Sequence, residues 1–291
     1  IEDTISLYAL DLTVGLRGEF FDSYYQNQAD GKENDWLKKD TSIWLPSISG
    51  FYTLNDHAGL LFGIHEGFLP TSPKQGSDVK VESSINYELG GRYNDGNTSI
   101  EAIAFYNDIK NLKESCSFSS CGNDLDIEYN SSEVSIYGLE FSSAYTHSLQ
   151  NGVDIPLSLT YTYTHSEFKV GFPSGFAMWG NITAGDELPY LPDHQITANI
   201  GLIGGLWELN LLGRYIDDML EASGEDVVLS DVSTKGYATI DLSGSYNFNN
   251  YSSIYFKAIN LLDRQEIVSR RPYGARPSKN QQFQLGYKFD F

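Results

Sequence analysis

The last twelve residues constrain the fold more than any other stretch, because their apolar and polar side chains alternate strictly. They run from Asn280 to Phe291 and read Asn-Gln-Gln-Phe-Gln-Leu-Gly-Tyr-Lys-Phe-Asp-Phe. Successive side chains of a β-strand point to opposite faces, so one face of this strand is apolar and the other is polar. An ordinary half-buried strand also alternates. Aromatic side chains crowd the apolar face here, however, which favours a strand between lipid and water. The apolar face carries Phe283, Leu285, Tyr287, Phe289 and Phe291.

The connections between candidate strands alternate between short and long. Asn, Asp and Gly dominate the short ones, and these residues tolerate the positive φ of tight hairpins. Outer-membrane barrels have short periplasmic turns and long extracellular loops, whereas soluble sandwiches show no such rule. The pattern predicts that residues near Asn151 and Asn249 face the periplasm and that those near Ser120, Gly175 and Gly274 face the exterior. The short connections are residues 54–57, 94–97, 150–152, 204–205 and 247–250, and the long ones are residues 25–40, 68–79, 114–131, 168–190, 217–234 and 264–280.

The strands also carry charges on the face opposite their apolar side chains. Arg17 and Glu19 share a strand with Leu16 but point to its other face. Such charges are costly in a dry core and not in a wet lumen. About thirteen strands can be counted, an odd number for a bacterial single-chain barrel, and an open sheet would leave unpaired edges in lipid. We therefore predict an all-β fold, a transmembrane antiparallel β-barrel of which residues 1–291 form the C-terminal portion, with further sequence upstream of Ile1.

Composition agrees with a membrane wall and argues against other classes. Mean hydropathy is −0.31, and no run approaches the roughly 20 apolar residues of a membrane helix, but a barrel needs none because only every second residue touches lipid. The 20 Tyr and 16 Phe suit aromatic girdles at the two interfaces. A net charge of −20 makes nucleic acid an unfavourable partner. The histidines have no Ser or Cys partner at recognisable spacing, so we expect neither an enzyme nor a cofactor. They are His57, His65, His147, His165 and His194.

Two local features fall outside the strand pattern. At Tyr8-Ala-Leu-Asp-Leu12 two strands meet without a turn residue, and we expect a segment to be missing there.

The cysteines lie close together in Cys116-Ser-Phe-Ser-Ser-Cys121. In an exported protein this spacing predicts a disulfide that closes a small loop. A metal site is the weaker alternative, because no His or further Cys neighbours the pair.

Five short motifs occur in order along most of the chain. They are Leu45-Pro-Ser-Ile48 with Tyr52, Gly67-Phe-Leu-Pro-Thr-Ser-Pro73, Glu82 through Tyr87-Glu-Leu-Gly90 and Arg92-Tyr93, Tyr137-Gly-Leu-Glu140, and Asn260-Leu-Leu-Asp263 before the last loop and strand. In that order they resemble "LPSLG…Y", "GF.PPSP", "E.S.NYELG.RY", "xGxE" and the "NLFD" box of TonB-dependent outer-membrane receptors. Each motif is weak alone, but the set is specific to that family.

The resemblance implies a 22-stranded barrel with an N-terminal plug, of which this chain supplies about the last thirteen strands. The plug, the first strands and the TonB-contacting box would lie upstream. It further implies active import of a ferric chelate, energised through TonB, with most similarity to ferric siderophore receptors of the ferric citrate type. Haem receptors usually carry "FRAP" and "NPNL", whereas this chain has Phe68-Leu-Pro70 at the first place and no "NPNL". A passive porin, a surface adhesion barrel or a receptor for a non-iron ligand are the alternatives.

The loop 264–280 is the predicted ligand-binding segment, because it gathers positive charge in a chain otherwise short of it. Arg binds carboxylate or phosphate bidentately, which suits an anionic ferric chelate or lipopolysaccharide phosphate. A solvated loop that balances nearby acids is the alternative. The predicted ligand-binding residues are Arg264, Arg270, Arg271 and Arg276, with Lys279 in the same loop. The predicted partners are the chelate, TonB, and outer-membrane lipid and lipopolysaccharide.

Two other groups of residues receive the plainer interpretation. A cluster of carboxylates in the loop 217–234 lacks the spacing of a calcium-binding EF-hand, and we expect it to be a solvated acidic surface. A set of aromatic residues is expected to mark the membrane girdle rather than to enclose a chelate. The acidic cluster is Asp217, Asp218, Glu221, Glu225, Asp226 and Asp231, and the aromatic set is Tyr24, Tyr25, Trp36, Trp44 and Trp179.

Overall fold

The structure, a computed structural model, describes residues 1–26, 36–75, 79–115, 128–176, 178–224, 233–270 and 274–290. Cys116, Cys121 and Arg271 lie outside these ranges, so the disulfide and the ligand-binding role of Arg271 stay predictions. None of the described residues forms a helix long and apolar enough to span a membrane.

The strands, in chain order, are Glu2–Leu7 (β1), Leu10–Tyr25 (β2), Leu37–Asn55 (β3), Ala58–Leu69 (β4), Glu82–Asn94 (β5), Thr98–Lys110 (β6), Lys113–Ser115 (β7), Glu128–Asn130 (β8), Glu133–Ser148 (β9), Asp154–Phe168 (β10), Phe172–Pro173 (β11), Asn181–Ile182 (β12), His194–Ile203 (β13), Trp207–Ile216 (β14), Tyr237–Asn249 (β15), Ser252–Ile259 (β16), Ile267–Ser269 (β17), Arg276–Pro277 (β18) and Gln282–Phe289 (β19). Thirteen of them form one sheet, which we call the wall, in the order β1-β2-β3-β4-β5-β6-β9-β10-β13-β14-β15-β16-β19. All its pairings are antiparallel. The remaining six pair within three of the long connections, as β7-β8, β11-β12 and β17-β18. The predicted all-β fold and the count of thirteen wall strands are confirmed.

One face of the large sheet is apolar and exposed, as the alternation predicts. Ile200 pairs with Leu211, and Leu211 pairs with Leu242, so apolar side chains continue in a row from strand to strand. On the last strand Phe283 is 70% exposed and Leu285 is 76% exposed. Apolar area on this scale is not left in water by a soluble protein, and a lipid-facing wall accounts for it.

Aromatic side chains border this apolar face at both ends. Near one end Tyr87, Tyr106, Tyr137 and His165 occupy one register row, with successive ring centroids 6.2, 6.4 and 5.4 Å apart. At the other end of β9, Tyr145 lies eight residues from Tyr137. Eight residues span about 27 Å along a strand, or about 20 Å across a membrane at a tilt of about 40°. The separation therefore fits the apolar band of an outer-membrane wall.

The predicted short turns are confirmed, and one connection differs from the expectation. The strands β1 and β2 meet through Tyr8 and Ala9 alone, with Leu7 paired to Leu10. Tyr8 has a φ of 54°, a conformation usually left to Gly, Asn or Asp. The structure thus has a tight hairpin where the sequence indicated a missing segment, because Tyr occupies the position at which a turn residue would have signalled it.

The aromatic set divides between the membrane face and the loops. Trp44 is exposed and packs edge-on against Phe20, with ring centroids 5.2 Å apart. Trp179 is fully buried in the connection between β10 and β13, against Phe168 and Phe176. The prediction that Trp179 marks the girdle is therefore wrong, because this long loop forms a small hydrophobic core of its own with the end of the wall.

Cysteine labelling tests the orientation of the wall in the membrane. In a background with Cys116 and Cys121 changed to Ser, we expect Ala275→Cys to react with an impermeant maleimide on intact cells. Ala275 is exposed beside Gly274 in the last long connection. Asn151→Cys lies in a short turn and should react only after the outer membrane is permeabilised. Surface labelling at position 151 would reverse the assignment.

Candidate functional site

The strand ends that lead into the six long connections all lie at one end of the large sheet, since its strands run antiparallel and the short turns join them at the other end. We call this end the mouth. Its described residues include parts of the connections from β10 to β13, from β14 to β15 and from β16 to β19, and these parts contact one another. The predicted ligand-binding segment 264–280, which we call the basic loop, lies in the last of these connections. The mouth is therefore where a ligand-binding site is assembled from residues far apart in sequence.

A buried ion pair ties three connections of the mouth together. The Glu221 side chain is 0% exposed, and its Oε2 lies 2.7 Å from the Arg270 guanidinium. The Arg270 backbone N–H donates to Glu221 Oε1 at 2.7 Å, and the Tyr190 hydroxyl donates to the same oxygen at 3.1 Å. The Arg270 guanidinium also donates to the Ser233 carbonyl at 2.9 Å. We call Tyr190, Glu221, Ser233 and Arg270 the mouth clamp.

The mouth clamp changes the interpretation of two predicted residues. Glu221 was expected on a solvated acidic surface, and that expectation is wrong for this residue, because the ion pair and two further hydrogen bonds compensate its burial. The Arg270 side chain is 23% exposed and already binds a carboxylate of the protein. Contact of Arg270 with a ligand stays a prediction, while its structural contacts are in place. Sequence reasoning missed the pair because 49 residues separate its members.

Asn260, the first residue of the "NLFD"-like segment, fixes the two ends of the basic loop. Its side chain is 1% exposed in a residue with a φ of 51°. The amide nitrogen Nδ2 donates to the carbonyls of Arg264 and Lys279 at 2.9 and 2.8 Å, and Oδ1 accepts from the Arg264 N–H at 3.3 Å. The Asn260 backbone N–H donates to Asp241 Oδ1 at 2.8 Å. We call this arrangement the Asn260 clip, and it holds the basic loop against the polar face of the wall.

A cavity of about 400 Å³ lies between the basic loop and the polar face of β14 and β15. Arg214 and Lys279 provide its cations, and the Arg214 guanidinium lies 3.7 Å from the Asp241 carboxylate. Ile216 and Ile259 supply apolar side chains to the lining, and Asp241, Asn260 and Ser278 supply polar ones. Two cations that face one carboxylate in a partly apolar hollow suit an anionic ligand that also has an organic skeleton. Arg214 was missed from the sequence, although a charge near the mouth end of a wall strand was the signal for it.

Two further arginines of the predicted set lie in the described part of the basic loop. Arg264 follows the Asn260 clip, and Arg276 lies in the β17-β18 hairpin opposite Ser269. Both residues are exposed, as is Lys279. The structure therefore places Arg264, Arg276 and Lys279 on one connection beside the cavity.

Burial and hydrogen bonding shift the pKa of three groups in the mouth connections. The Tyr215 hydroxyl donates a hydrogen bond to the Asp217 carboxylate at 2.8 Å. This hydrogen bond is the largest cause that lowers the pKa of the Asp217 carboxyl, so the group is ionised at neutral pH. Burial lowers the pKa of the Lys113 ammonium and raises that of the Glu114 carboxyl. Both shifts disfavour the charged form, because burial removes the water that solvates it.

Comparison with known proteins agrees with the fold and the motifs. The family described as TonB dependent receptor-like, β-barrel matches residues 1–261. An iron-regulated outer membrane virulence protein of Vibrio cholerae is 30% identical over 212 residues, which are 68% of this chain and 29% of that protein. This chain thus covers less than a third of the length of that relative.

Solved structures show the same fold. The ferric citrate transporter FecA matches 99% of this chain and 44% of its own, with a TM-score of 0.75 and 20% identity. The ferric-catecholate import receptor Fiu of Escherichia coli K12 matches 100% of this chain and 44% of its own, with a TM-score of 0.74 and 18% identity. At these identities the likeness concerns the fold alone.

Proposed function

This chain belongs to the TonB-dependent receptor-like β-barrel family, and from that membership we propose that it forms the C-terminal portion of a receptor that imports a ferric chelate. The family is one of outer-membrane receptors and transporters, and the homologue from Vibrio cholerae is named as an iron-regulated outer membrane protein. We further propose that TonB energises the transport and that residues 1–291 complete the barrel with strands from upstream sequence.

The cationic cavity at the mouth is the observation that carries the proposal. The chain has a net charge of −20, so most of its surface repels anions. Arg214 and Lys279 line a concave space at the end where a ligand would arrive. The proposed ligand-binding residues of the loop remain Arg264, Arg270, Arg271 and Arg276. An anionic ferric chelate of the citrate or siderophore type matches this charge.

Growth of an iron-starved strain tests the proposal. The full-length receptor is expressed in a mutant that lacks its own ferric receptors, and growth is scored with one chelate at a time. We expect rescue by at least one anionic chelate and no rescue when TonB is also deleted. Rescue that persists without TonB would instead support a passive porin. No rescue by any chelate, with the receptor present in the outer membrane, would support an adhesion barrel or a non-iron ligand.

The cavity makes a specific prediction about affinity. The double change Arg214→Ala and Lys279→Ala should weaken chelate binding by roughly a hundredfold or more, because each desolvated charged contact contributes about 1.5–3 kcal/mol. The measurement is equilibrium binding to the purified receptor at low and moderate salt.

The matched control for this pair is Arg92→Ala with Lys288→Ala. Arg92 pairs with Glu101 and Lys288 pairs with Asp290, both near the short-turn end of the wall. The control removes the same charge far from the mouth and should leave affinity nearly unchanged. Equal weakening in both doubles would mean that overall charge, and not the cavity, attracts the ligand.

A further inference from the structure

Three residues with metal-binding side chains meet on the outer side of the wall. His165 lies on β10, and Glu187 and Asp193 lie in the connection from β10 to β13. One potential ligand atom from each falls within 4.8 Å of the others. His165 Nδ1 and Asp193 Oδ1 are 3.6 Å apart. The group therefore combines one imidazole and two carboxylates at a single point.

Backbone contacts hold the loop segment that carries the two carboxylates. The Thr164 N–H donates to the Asp193 carbonyl at 3.0 Å, and the Phe168 N–H donates to the Asp186 carbonyl at 2.8 Å. Between them the Leu188 N–H donates to Ser166 Oγ at 3.0 Å. Residues 186–193 are thus fixed along the mouth half of β10 at three points, on either side of His165.

The group lies on the lipid-facing side and not in the path of an imported ligand. His165 pairs with Tyr137 in register, and their rings are 5.4 Å apart in the aromatic row at the mouth end of the apolar face. The cavity beneath the basic loop is on the opposite, polar face of the sheet. A cation bound by His165 would therefore be a resident of the protein rather than its cargo.

The charges and distances of the group suit a divalent cation. Two carboxylates close together repel each other unless a cation or a proton neutralises them. Within the described part of the chain, the Glu187 carboxylate makes no hydrogen bond or ion pair. Zn²⁺ binds His nitrogen and carboxylate oxygen at about 2.0–2.2 Å in tetrahedral geometry, which separates neighbouring ligand atoms by roughly 3.3 Å. The His165–Asp193 separation of 3.6 Å is already near this value, and a carboxylate oxygen of Glu187 lies within 4.8 Å of both of these ligand atoms.

We propose that His165, Glu187 and Asp193 bind a first-row divalent transition metal such as Zn²⁺, with water at the remaining position. The imidazole favours such a metal over Ca²⁺ or Mg²⁺, which prefer oxygen ligands alone. The bound cation joins residues 186–193 to β10 and neutralises two carboxylates at the lipid interface. It stabilises the outer side of the mouth and takes no part in recognition of the chelate.

Zinc titration of the metal-stripped, full-length receptor in detergent tests the site. We expect one equivalent of Zn²⁺ to bind and to slow proteolysis of the connection from β10 to β13. His165→Ala and Glu187→Gln should each weaken zinc binding by more than about tenfold. Substitution of a residue that only supports a metal ligand already costs about that much affinity. The control is His147→Ala, a histidine near the short-turn end of the same sheet. Glu187→Gln changes a side chain without a protein partner in the described ranges, so it preserves folding and keeps the test valid if His165→Ala does not fold.

The outcomes separate this site from others. Equal zinc affinity in wild type, His165→Ala and Glu187→Gln would contradict the proposal, as would the absence of a stoichiometric site. Binding of Ca²⁺ as tight as that of Zn²⁺ and independent of His165 would also contradict it. Weakened zinc binding in these two variants but not in His147→Ala would support it, and chelate affinity should be unchanged in all three.

Discussion

Replacing Arg270 with alanine is expected to destabilise the mouth by about 3–5 kcal/mol, the range typical of a buried carboxylate that loses its cation. Glu221 would remain fully buried without the guanidinium that now lies 2.7 Å from it. The connections from β10 to β13, β14 to β15 and β16 to β19 should then open more often. Proteolysis or amide hydrogen exchange of these connections should become faster by roughly a hundredfold or more.

The exposed Arg276 in the same loop is the matched control for this prediction. Arg276→Ala removes the same charge without breaking the mouth clamp, so proteolysis of the mouth should stay near the wild-type rate. The combined change Glu221→Leu and Arg270→Met removes both charges and should recover most of the lost stability, since an apolar pair of similar volume often replaces a buried ion pair. Equal proteolysis rates in Arg270→Ala and Arg276→Ala would show that the clamp does not hold the connections together.

The same variants separate structure from ligand binding at Arg270. If Arg270 contacts the ligand directly, Arg270→Ala should weaken chelate binding even when the mouth remains resistant to protease. The mouth clamp predicts instead that affinity falls together with protease resistance. It also predicts that Glu221→Leu with Arg270→Met restores both properties.

Replacing Asn260 with alanine is the other change with a large expected effect. It removes three side-chain hydrogen bonds of a residue that is 1% exposed. It also places alanine at a φ of 51°. At about 1 kcal/mol for each hydrogen bond and about 1 kcal/mol for the left-handed backbone, the cost is about 4 kcal/mol. Hydrogen exchange in the segment 260–281 should therefore accelerate strongly, and chelate affinity should fall because Lys279 is no longer held beside the cavity.

Two further variants divide this cost and control for the loss of an amide. Asn260→Gly accepts the backbone conformation but lacks the hydrogen bonds, so it should recover only the smaller backbone part. Asn97→Ala changes an exposed turn asparagine at the other end of the wall and should have little effect. The Asn260 clip is contradicted by wild-type exchange rates in Asn260→Ala.

The wall could be predicted from the sequence because its signals are local. Alternation of apolar and polar residues defines the strands, and turns rich in Asn, Asp and Gly show which connections between them are short. The hairpin at Tyr8 was not predicted, because Tyr is an unusual residue for its turn. The small hairpins in the loops, such as Phe172–Pro173 with Asn181–Ile182, were not predicted because two-residue strands show no detectable periodicity.

The site could be predicted only in part because it is built from distant residues. The charge of the basic loop was visible in the sequence, and so was the motif that begins with Asn260. The partner of Arg270 was not, because composition alone cannot distinguish a buried Glu221 from the other acidic residues of the loop 217–234. Arg214 lies on a wall strand, and only the folded loop shows that it shares a cavity with Lys279.

Uptake of radiolabelled ferric iron by whole cells tests the central claim most directly. Cells that depend on the full-length receptor are given the chelate that rescues growth, and initial rates are measured with and without TonB. We predict uptake that saturates with chelate concentration, stops when TonB is deleted and loses affinity in Arg214→Ala with Lys279→Ala. Uptake that rises linearly with concentration and continues at the same rate without TonB would contradict an energised receptor.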